Sequence, residues 1–370
     1  MAYTVRKAGA PQKTWDCGFE RKQTLAAFAH ARCLSHPELV RRFWGMKHGG
    51  NVWANGEPSV WLDFSANLRP EGTPGWAMRA MQAALGYARY YPDRAMRAAR
   101  AGLAAYAGVP EACILPTAGG VAAIDLCMAL HPGRVCTETP AFGEYAERAA
   151  AHGKAHDLWD GHFAPGDLLM IGNPNNPTGS ARSREDILAL HAQAMRHGAA
   201  LAVGEAFIDF CPEHSVRKDV SQGLTVVGSL TKTLCIPGVR LGYVCAAPEV
   251  IARMERQALP WSLNMLAAEI AAQLPAHRED IRRDAERNAR RRERLAGLLR
   301  AHGARVEPSQ ANFLLADFGR DMSDDADRLR KRHILVRTCA SFGLGKNMLR
   351  LAVRTDAEND ILVGALWGNG

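Results

Sequence analysis

The segment best suited to covalent chemistry is Ser229-Leu-Thr231-Lys232, followed by Pro237-Gly238-Val-Arg240. A lysine just past an apolar strand can form a Schiff base through its amine with an aldehyde-bearing cofactor. Two hydroxyls and a nearby arginine supply donors for that cofactor's phosphate. Alone, such a segment is weak evidence, because most such lysines are merely exposed. It has company. Asn173-Pro174-Asn175-Asn176-Pro177-Thr178-Gly179 follows the apolar run Leu168–Ile171, and open α/β sheets hold ligands beyond the carboxyl ends of their strands. Two prolines and a glycine fix that turn, so Asn176 can present its amide to a ring oxygen; a plain Asn/Pro turn is the alternative. Gly119-Gly120 opens an apolar helix, where backbone N–H groups and the helix dipole suit a phosphate. The three signals reinforce one another by their order.

The elements around them alternate. Helices are expected over 76–89, 94–107, 121–130, 142–152 and 184–197, with strands over 113–115, around Val135, and over 168–171, 200–203, 225–227 and 239–245. Such alternation indicates a parallel or mixed sheet covered on both faces. After Pro248 long helices take over, followed by strands over 312–316, 334–337 and 349–353, which indicates a smaller α+β domain. Residues 1–45 carry no such alternation. A basic transit segment, a helix over Gln23–Phe43, or a start codon assigned upstream are the alternatives there.

The 370 residues are 47% hydrophobic and 23% charged, an ordinary globular composition with material for two domains. No apolar window approaches a membrane span. The nine cysteines are scattered, without a C-x-x-C pair or a Cys/His cluster. No metal site is expected, and a reducing, cytoplasmic compartment is. The net charge of +8 suits phosphorylated or carboxylated small molecules. The densest basic run, Arg282–Arg300, interleaves its arginines with acids and reads as a solvated helix with Ile281, Ala285, Ala289, Leu295 and Leu299 inward. Neither nucleic acid nor membrane is an expected partner.

From Met46 to about Gly364 these segments resemble the class I/II, fold-type I family that uses pyridoxal 5'-phosphate (PLP). Within it, the chain is similar to the L-threonine-O-3-phosphate decarboxylase subfamily, relatives of the histidinol-phosphate aminotransferases. That finer resemblance rests on His48-Gly-Gly-Asn51, Asp63-Phe-Ser-Ala-Asn67-Leu-Arg-Pro70, Leu259-Pro-Trp-Ser-Leu-Asn264, Gln310-Ala-Asn312-Phe, Ile334-Leu-Val-Arg337-Thr-Cys-Ala and Arg350-Leu-Ala-Val-Arg354. The resemblance implies an α/β fold-type I transferase fold, with a mixed, mostly parallel central sheet flanked by helices and a smaller α+β C-terminal domain. It divides the chain into an extension (1–45), an arm packing on the small domain (46–75), a large PLP-binding domain (76–265) and a small domain (266–370).

Residue by residue, the resemblance implies that Lys232 carries the cofactor and returns a proton to the substrate's Cα. Ser229, Thr231, Arg240 and the amides of Gly119 and Gly120 form the phosphate cup. Tyr91 reaches the phosphate from a neighbouring subunit, which implies a homodimer with shared sites. Phe142 stacks on the pyridine ring and Asn176 binds its phenolic oxygen. Arg350 takes the substrate's α-carboxylate, while His48, Asn67, Arg337 and Arg354 contact its phosphate and the entry loop. The bland alternatives are ordinary core for Phe142, a turn for His48 and surface ion pairs for Arg337 and Arg354. The implied reaction is decarboxylation of a phosphorylated amino acid, L-threonine O-3-phosphate, as in cobalamin biosynthesis. Transamination of the histidinol-phosphate type and decarboxylation of another phosphorylated or phosphonate amino acid are its competitors.

Two departures stand out. The family writes Asp-Glu-Ala-Phe/Tyr where this chain has Gly204-Glu205-Ala206-Phe207, so the carboxylate that pairs with the pyridine nitrogen is missing. An anion there favours the protonated ring, the stronger electron sink. Three readings follow: Glu205 or a water stands in, although neighbouring residues of a strand point to opposite faces; the enzyme runs on a neutral pyridine with slower carbanion chemistry; or the chain is a catalytically weakened or altered PLP-binding homologue. Thr117-Ala118-Gly119-Gly120-Val121-Ala122 replaces Gly-Asn-Gly-x-Thr-Glu, which leaves the cup to backbone donors.

Overall fold

The chain divides into two units, Met1–Asn55 and Gly56–Gly370, in a computed structural model. The structure describes residues 4–7, 10–16, 19–21 and 24–26, then 49–50 and 52–368. In the first unit β1 (Thr4–Lys7) pairs antiparallel with β2 (Ala10–Asp16), and β3 (Phe19–Arg21) with β4 (Thr24–Ala26). The helix expected over 23–43 is therefore corrected at 24–26, which pair as a strand; residues 27–48 lie outside the described residues, and His48 with them.

In the second unit β5 (Leu62–Asp63) precedes a seven-stranded sheet. Its strands are β6 (Ile114–Thr117), β7 (Val135–Thr137), β8 (His156–Leu158), β9 (Leu168–Gly172), β10 (Ala200–Glu205), β11 (Leu224–Ser229) and β12 (Gly242–Cys245). They lie in the order β6-β12-β11-β10-β9-β7-β8. Only β12 runs antiparallel to its neighbours. The central strands are buried on both faces, which is why they read as continuous apolar runs. Leu201 and Val203 join one core with Leu169, Ile171 and Val226, while Ala202 joins the other with Met170, Val227 and Tyr145.

The helices α1 (Gly75–Leu85), α2 (Arg97–Ala107), α3 (Gly120–Leu130), α4 (Glu144–Ala151), α5 (Arg184–Arg196) and α6 (Pro248–Gln257) surround this sheet. The helix α7 (Met265–Gln273) packs on α1 and α2, and its Ala267, Ile270 and Ala271 belong to their core. The large core thus extends past the 265/266 boundary of the sequence reading, because the apolar face of α7 is complementary to those two helices.

A second core lies under a four-stranded antiparallel sheet ordered β13 (Arg305–Val306), β14 (Phe313–Asp317), β17 (Met348–Ala352), β16 (Arg337–Thr338). The helices α8 (Arg278–Ala301), α9 (Ser323–Lys331) and α10 (Asp356–Trp367) accompany it. Phe64, Leu295, Leu299, Leu314, Leu351 and Leu362 fill that core. A capping box between Thr355 and Glu358 starts α10, satisfying donors that a helix end leaves open. Along α8 the inward positions run Ile281, Ala285, Asn288, Arg292, Leu295 and Leu299. Ala289 is only half-buried, one step off this stripe, which corrects its expected placement. Several arginines of α8 pair with acids on the same helix, Arg282 with Glu279 and Glu286, and Arg287 with Asp284, while Arg291 reaches Glu71 and Arg294 reaches Asp360 on α10. Among the described residues no helix is long and apolar enough to cross a membrane.

Two strands differ instructively from expectation. The run 334–337 is divided between two sheets: β15 (Ile334–Leu335) pairs in parallel with β5, and β16 pairs with β17. The strand expected over 239–245 starts only at Gly242, because Arg240 adopts a left-handed backbone, φ 64°, which no continuous strand accommodates.

Candidate active site

The site is built at the carboxyl ends of β9, β10 and β11 and at the start of α3. Gly119 holds φ 86° and ψ 172° as the residue before α3, a conformation open essentially to glycine alone. A Cβ there would lie 2.7 Å from Arg240 Nη2, and a Cβ on Gly120 would lie 3.3 Å from Ser229 Cβ. The missing side chains thus make room for the arginine and the serine at the helix start. Ser229 Oγ and Thr231 Oγ1 are 2.9 Å apart, and Arg240 donates to the Pro237 carbonyl at 3.0 Å. Gly119, Gly120, Ser229, Thr231 and Arg240 therefore form one donor set of the kind that holds a phosphate.

Lys232 follows this cup. Burial of its amine lowers the pKa to about 8, and the nearby guanidiniums of Arg350 and Arg240 push in the same direction, against the carboxylate of Asp63. A neutral amine is the nucleophilic form, so this environment prepares Lys232 for attack on an aldehyde. Asp63 is held in place by donors from Ser65 N at 2.7 Å, Ser65 Oγ at 2.6 Å and Ala66 N at 3.2 Å.

The turn after β9 supplies Asn176. Asn173 ties the turn down, its Oδ1 accepting from Arg182 N at 2.8 Å. Asn175 Nδ2 donates to the Pro140 carbonyl at 3.0 Å, which joins the turn to the segment carrying Phe142. Asn176 Oδ1 accepts from Arg350 Nη1 at 2.6 Å, and Arg350 Nη2 donates to the Ser65 carbonyl at 2.6 Å. Arg350 is buried and its Nε finds no hydrogen-bond partner among the described residues. No carboxylate there ion-pairs with it. Burial and the neighbouring Arg337 both lower its proton affinity, yet a guanidinium stays cationic at neutral pH.

Arg337 and Arg350 are Cα partners across β16 and β17, and both are buried. Phe342 lies beneath both guanidiniums, 5.1 Å from Arg337 Cζ and 5.8 Å from Arg350 Cζ. Asn67 is buried, its Oδ1 without a partner among the described residues, and its carbonyl accepts from Asn312 Nδ2 at 3.0 Å. Arg354 is committed elsewhere, donating to Glu358 at 2.7 Å and to the Asp63 carbonyl at 3.2 Å. Its ion-pair alternative is the one the structure displays. Tyr91 is 81% exposed and rests on Trp261 with ring centroids 5.0 Å apart, so a single chain does not bring it to the cup.

At the β10 terminus Glu205 points away from the site. Its carboxylate accepts from Ser215 Oγ and Val216 N, both at 2.7 Å, and burial raises its pKa to about 7. It does not replace the missing carboxylate of position 204. Phe207 packs edge-on against Phe313, centroids 5.0 Å apart. Sequence reasoning missed Ser65, whose carbonyl orients Arg350, and Tyr145, whose hydroxyl fills the space beside Gly204. Backbone acceptors leave no trace in residue type. The glycine in a buried strand was the available sign of a large neighbour.

A family model described as "Aminotransferase class I and II" matches residues 161–366. The chain is 34% identical to the threonine-phosphate decarboxylase of Salmonella typhimurium, over 86% of this chain and 95% of that one. It is 35% identical to a histidinol-phosphate aminotransferase of Mycobacterium bovis, over 82% and 86%. Among solved structures, the histidinol-phosphate aminotransferase of Clostridium acetobutylicum superposes with TM-score 0.76 at 25% identity, covering 83% of this chain and 98% of that one. The L-threonine-O-3-phosphate decarboxylase of Porphyromonas gingivalis superposes with TM-score 0.74 at 24% identity, covering 82% and 98%, which speaks for the fold. The mostly parallel sheet with a smaller C-terminal sheet is thus the fold-type I architecture, and the chain belongs to the class I and II aminotransferase family.

Proposed function

We propose that the protein decarboxylates a phosphorylated amino acid, L-threonine O-3-phosphate, to 1-amino-2-propanol O-2-phosphate, a step of cobalamin biosynthesis. It is a PLP-dependent enzyme, and the donor set at the start of α3 fits the cofactor's phosphate. When bound, PLP withdraws electron density from the bonds at the substrate's Cα. Lys232 binds the cofactor, and its depressed proton affinity lets Nζ hold or release a proton near neutral pH; in this role it returns a proton to Cα once CO2 has left. Asn176 would hold the ring's phenolic oxygen and Phe142 would cover its face.

The observation that carries the substrate class is the facing pair Arg337 and Arg350. Two buried guanidiniums at partner positions suit a ligand with two anionic groups, a carboxylate and a phosphate. Arg350 takes the α-carboxylate and Arg337, with Asn67, the phosphate. Holding both ends would fix which Cα bond is presented for cleavage, so remote binding would select the bond that breaks. Tyr91, exposed on Trp261, reaches the cup of a second copy in a homodimer.

Phe207 favours decarboxylation, since it cannot offer the hydroxyl that aminotransferase relatives place near the phenolic oxygen. The similarity to histidinol-phosphate aminotransferases keeps transamination as the alternative. The experiment is incubation of the PLP-loaded protein with L-threonine O-3-phosphate, following CO2 and keto acid separately. CO2 without keto acid is the expected outcome. Keto acid formation with an amino acceptor would replace this reading with the second.

A further inference from the structure

The absence of a side chain at position 204 has a structural counterpart in Tyr145. A Cβ at Gly204 would lie 2.1 Å from Tyr145 Oη, 3.3 Å from its Cζ and 3.4 Å from the Ile171 carbonyl. The phenol therefore occupies the volume that an aspartate at this position would claim. Gly204 sits next to the end of β10, between Gly172 on β9 and Val227 on β11, at the carboxyl edge where such sheets hold their ligands.

Tyr145 is well fixed there. It is buried among Leu115, Ala123, Met170, Ala202 and Val227, and Phe142 meets its ring edge-on at 5.6 Å and 89°. The residue expected to cover the cofactor ring and the residue filling the gap at 204 are thus in direct contact. Glu205 is turned to Ser215 and Val216 on the other face of the strand.

We infer that the Tyr145 hydroxyl replaces the family's carboxylate as the partner of the cofactor's pyridine nitrogen, donating a hydrogen bond to an unprotonated ring. This assignment rests on the proposed PLP site. A carboxylate attracts a proton to the nitrogen, whereas a phenol is a neutral donor that keeps its own. Burial raises the Tyr145 hydroxyl well above the ordinary tyrosine range, so its proton is not given up to a pyridine. The ring in this enzyme is then a weaker electron sink than in relatives that carry the aspartate. Gly204 and Tyr145 form one unit, the small residue making room for the large one.

The test reads the ring nitrogen directly. The protein is reconstituted with PLP labelled with 15N in the ring, and the 15N chemical shift is measured for the parent, for Tyr145→Phe and for Tyr145→Phe/Gly204→Asp. The parent is expected to show a neutral, hydrogen-bonded pyridine. Tyr145→Phe should move the signal toward a neutral pyridine without that bond, and the double variant toward pyridinium. A pyridinium signal in the parent, or a shift unchanged in Tyr145→Phe, overturns the assignment while leaving the PLP site standing. Borohydride reduction and peptide mass mapping of the same samples separates the two ideas: no pyridoxyl group on Lys232 overturns the PLP site and this assignment together.

Discussion

Arg350 Nη1 donates to Asn176 Oδ1 at 2.6 Å, a bond that joins an inner strand of the small sheet to the turn after β9. The residue proposed to hold the substrate's carboxylate is thus fixed to the one proposed to hold the cofactor ring. Alignment of substrate with cofactor depends on this link, with the Ser65 carbonyl steadying the guanidinium from the other side.

Replacement of Arg350 by lysine removes the planar fork and its second bond. Hydrogen bonds to charged groups contribute about 1.5–3 kcal/mol, so KM for the amino-acid substrate is expected to rise about ten- to hundredfold. Steady-state kinetics measure this. Retention of PLP in the same variant should be little altered, and an unchanged KM would remove Arg350 from the carboxylate role.

Lys232 titrates at about 8 rather than at the ordinary 10.5. Its neutral form is the nucleophile, so capture of PLP by the cofactor-free protein should accelerate as pH rises through about 8 and level off above it. Stopped-flow absorbance follows the capture. A rate still climbing toward the ordinary lysine range would contradict the effect given to burial and to the guanidiniums of Arg350 and Arg240.

Alanine at Gly119 meets both a φ of 86° and the Arg240 guanidinium at 2.7 Å. Backbone strain of this kind costs about 1–3 kcal/mol. PLP should dissociate about ten- to hundredfold more readily, as fluorescence titration of the cofactor-free protein would show.

Gly204→Ala should destabilise the fold by about 1–3 kcal/mol, the usual cost of overpacking a core, since its Cβ would fall 2.1 Å from Tyr145 Oη. Added to Tyr145→Phe, the same substitution should be much milder, because the nearest atom of the ring then lies at 3.3 Å. A double-mutant cycle in denaturant reads this coupling; strictly additive effects would refute the close packing.

Glu205 is raised from 4.5 to about 7 by burial. Between these values the folded chain holds a proton that the unfolded chain has lost, so stability is greatest below the lower value and declines as pH rises through the upper one. Glu205→Gln should abolish that decline and gain on the order of 1–3 kcal/mol near pH 8. Denaturant titrations of both proteins across this range provide the comparison.

Much of the site was legible because its residues are punctuated by backbone constraint. The Asn173–Gly179 turn and the Gly119-Gly120 pair announce themselves by proline and glycine. Strands β9 to β11 announce themselves as apolar runs. The short edge strand His156–Leu158 escaped notice because it is only three residues long, two of them polar, with Asp157 and Leu158 exposed. The start of β12 was misplaced because nothing in the residue type of Arg240 signals a left-handed backbone. The partner of Gly204 was invisible for another reason: Tyr145 lies 59 residues away, and only the folded sheet brings its hydroxyl to β10.

Residues 334–338 serve two sheets, Ile334–Leu335 holding Leu62–Asp63 and Arg337–Thr338 holding the strand of Arg350. The segment that supplies Asp63, Ser65 and Asn67 is thereby stitched to the small sheet. Any displacement of that sheet would carry both together, so the strand of Arg350 and the run from Asp63 to Asn67 behave as one lever arm.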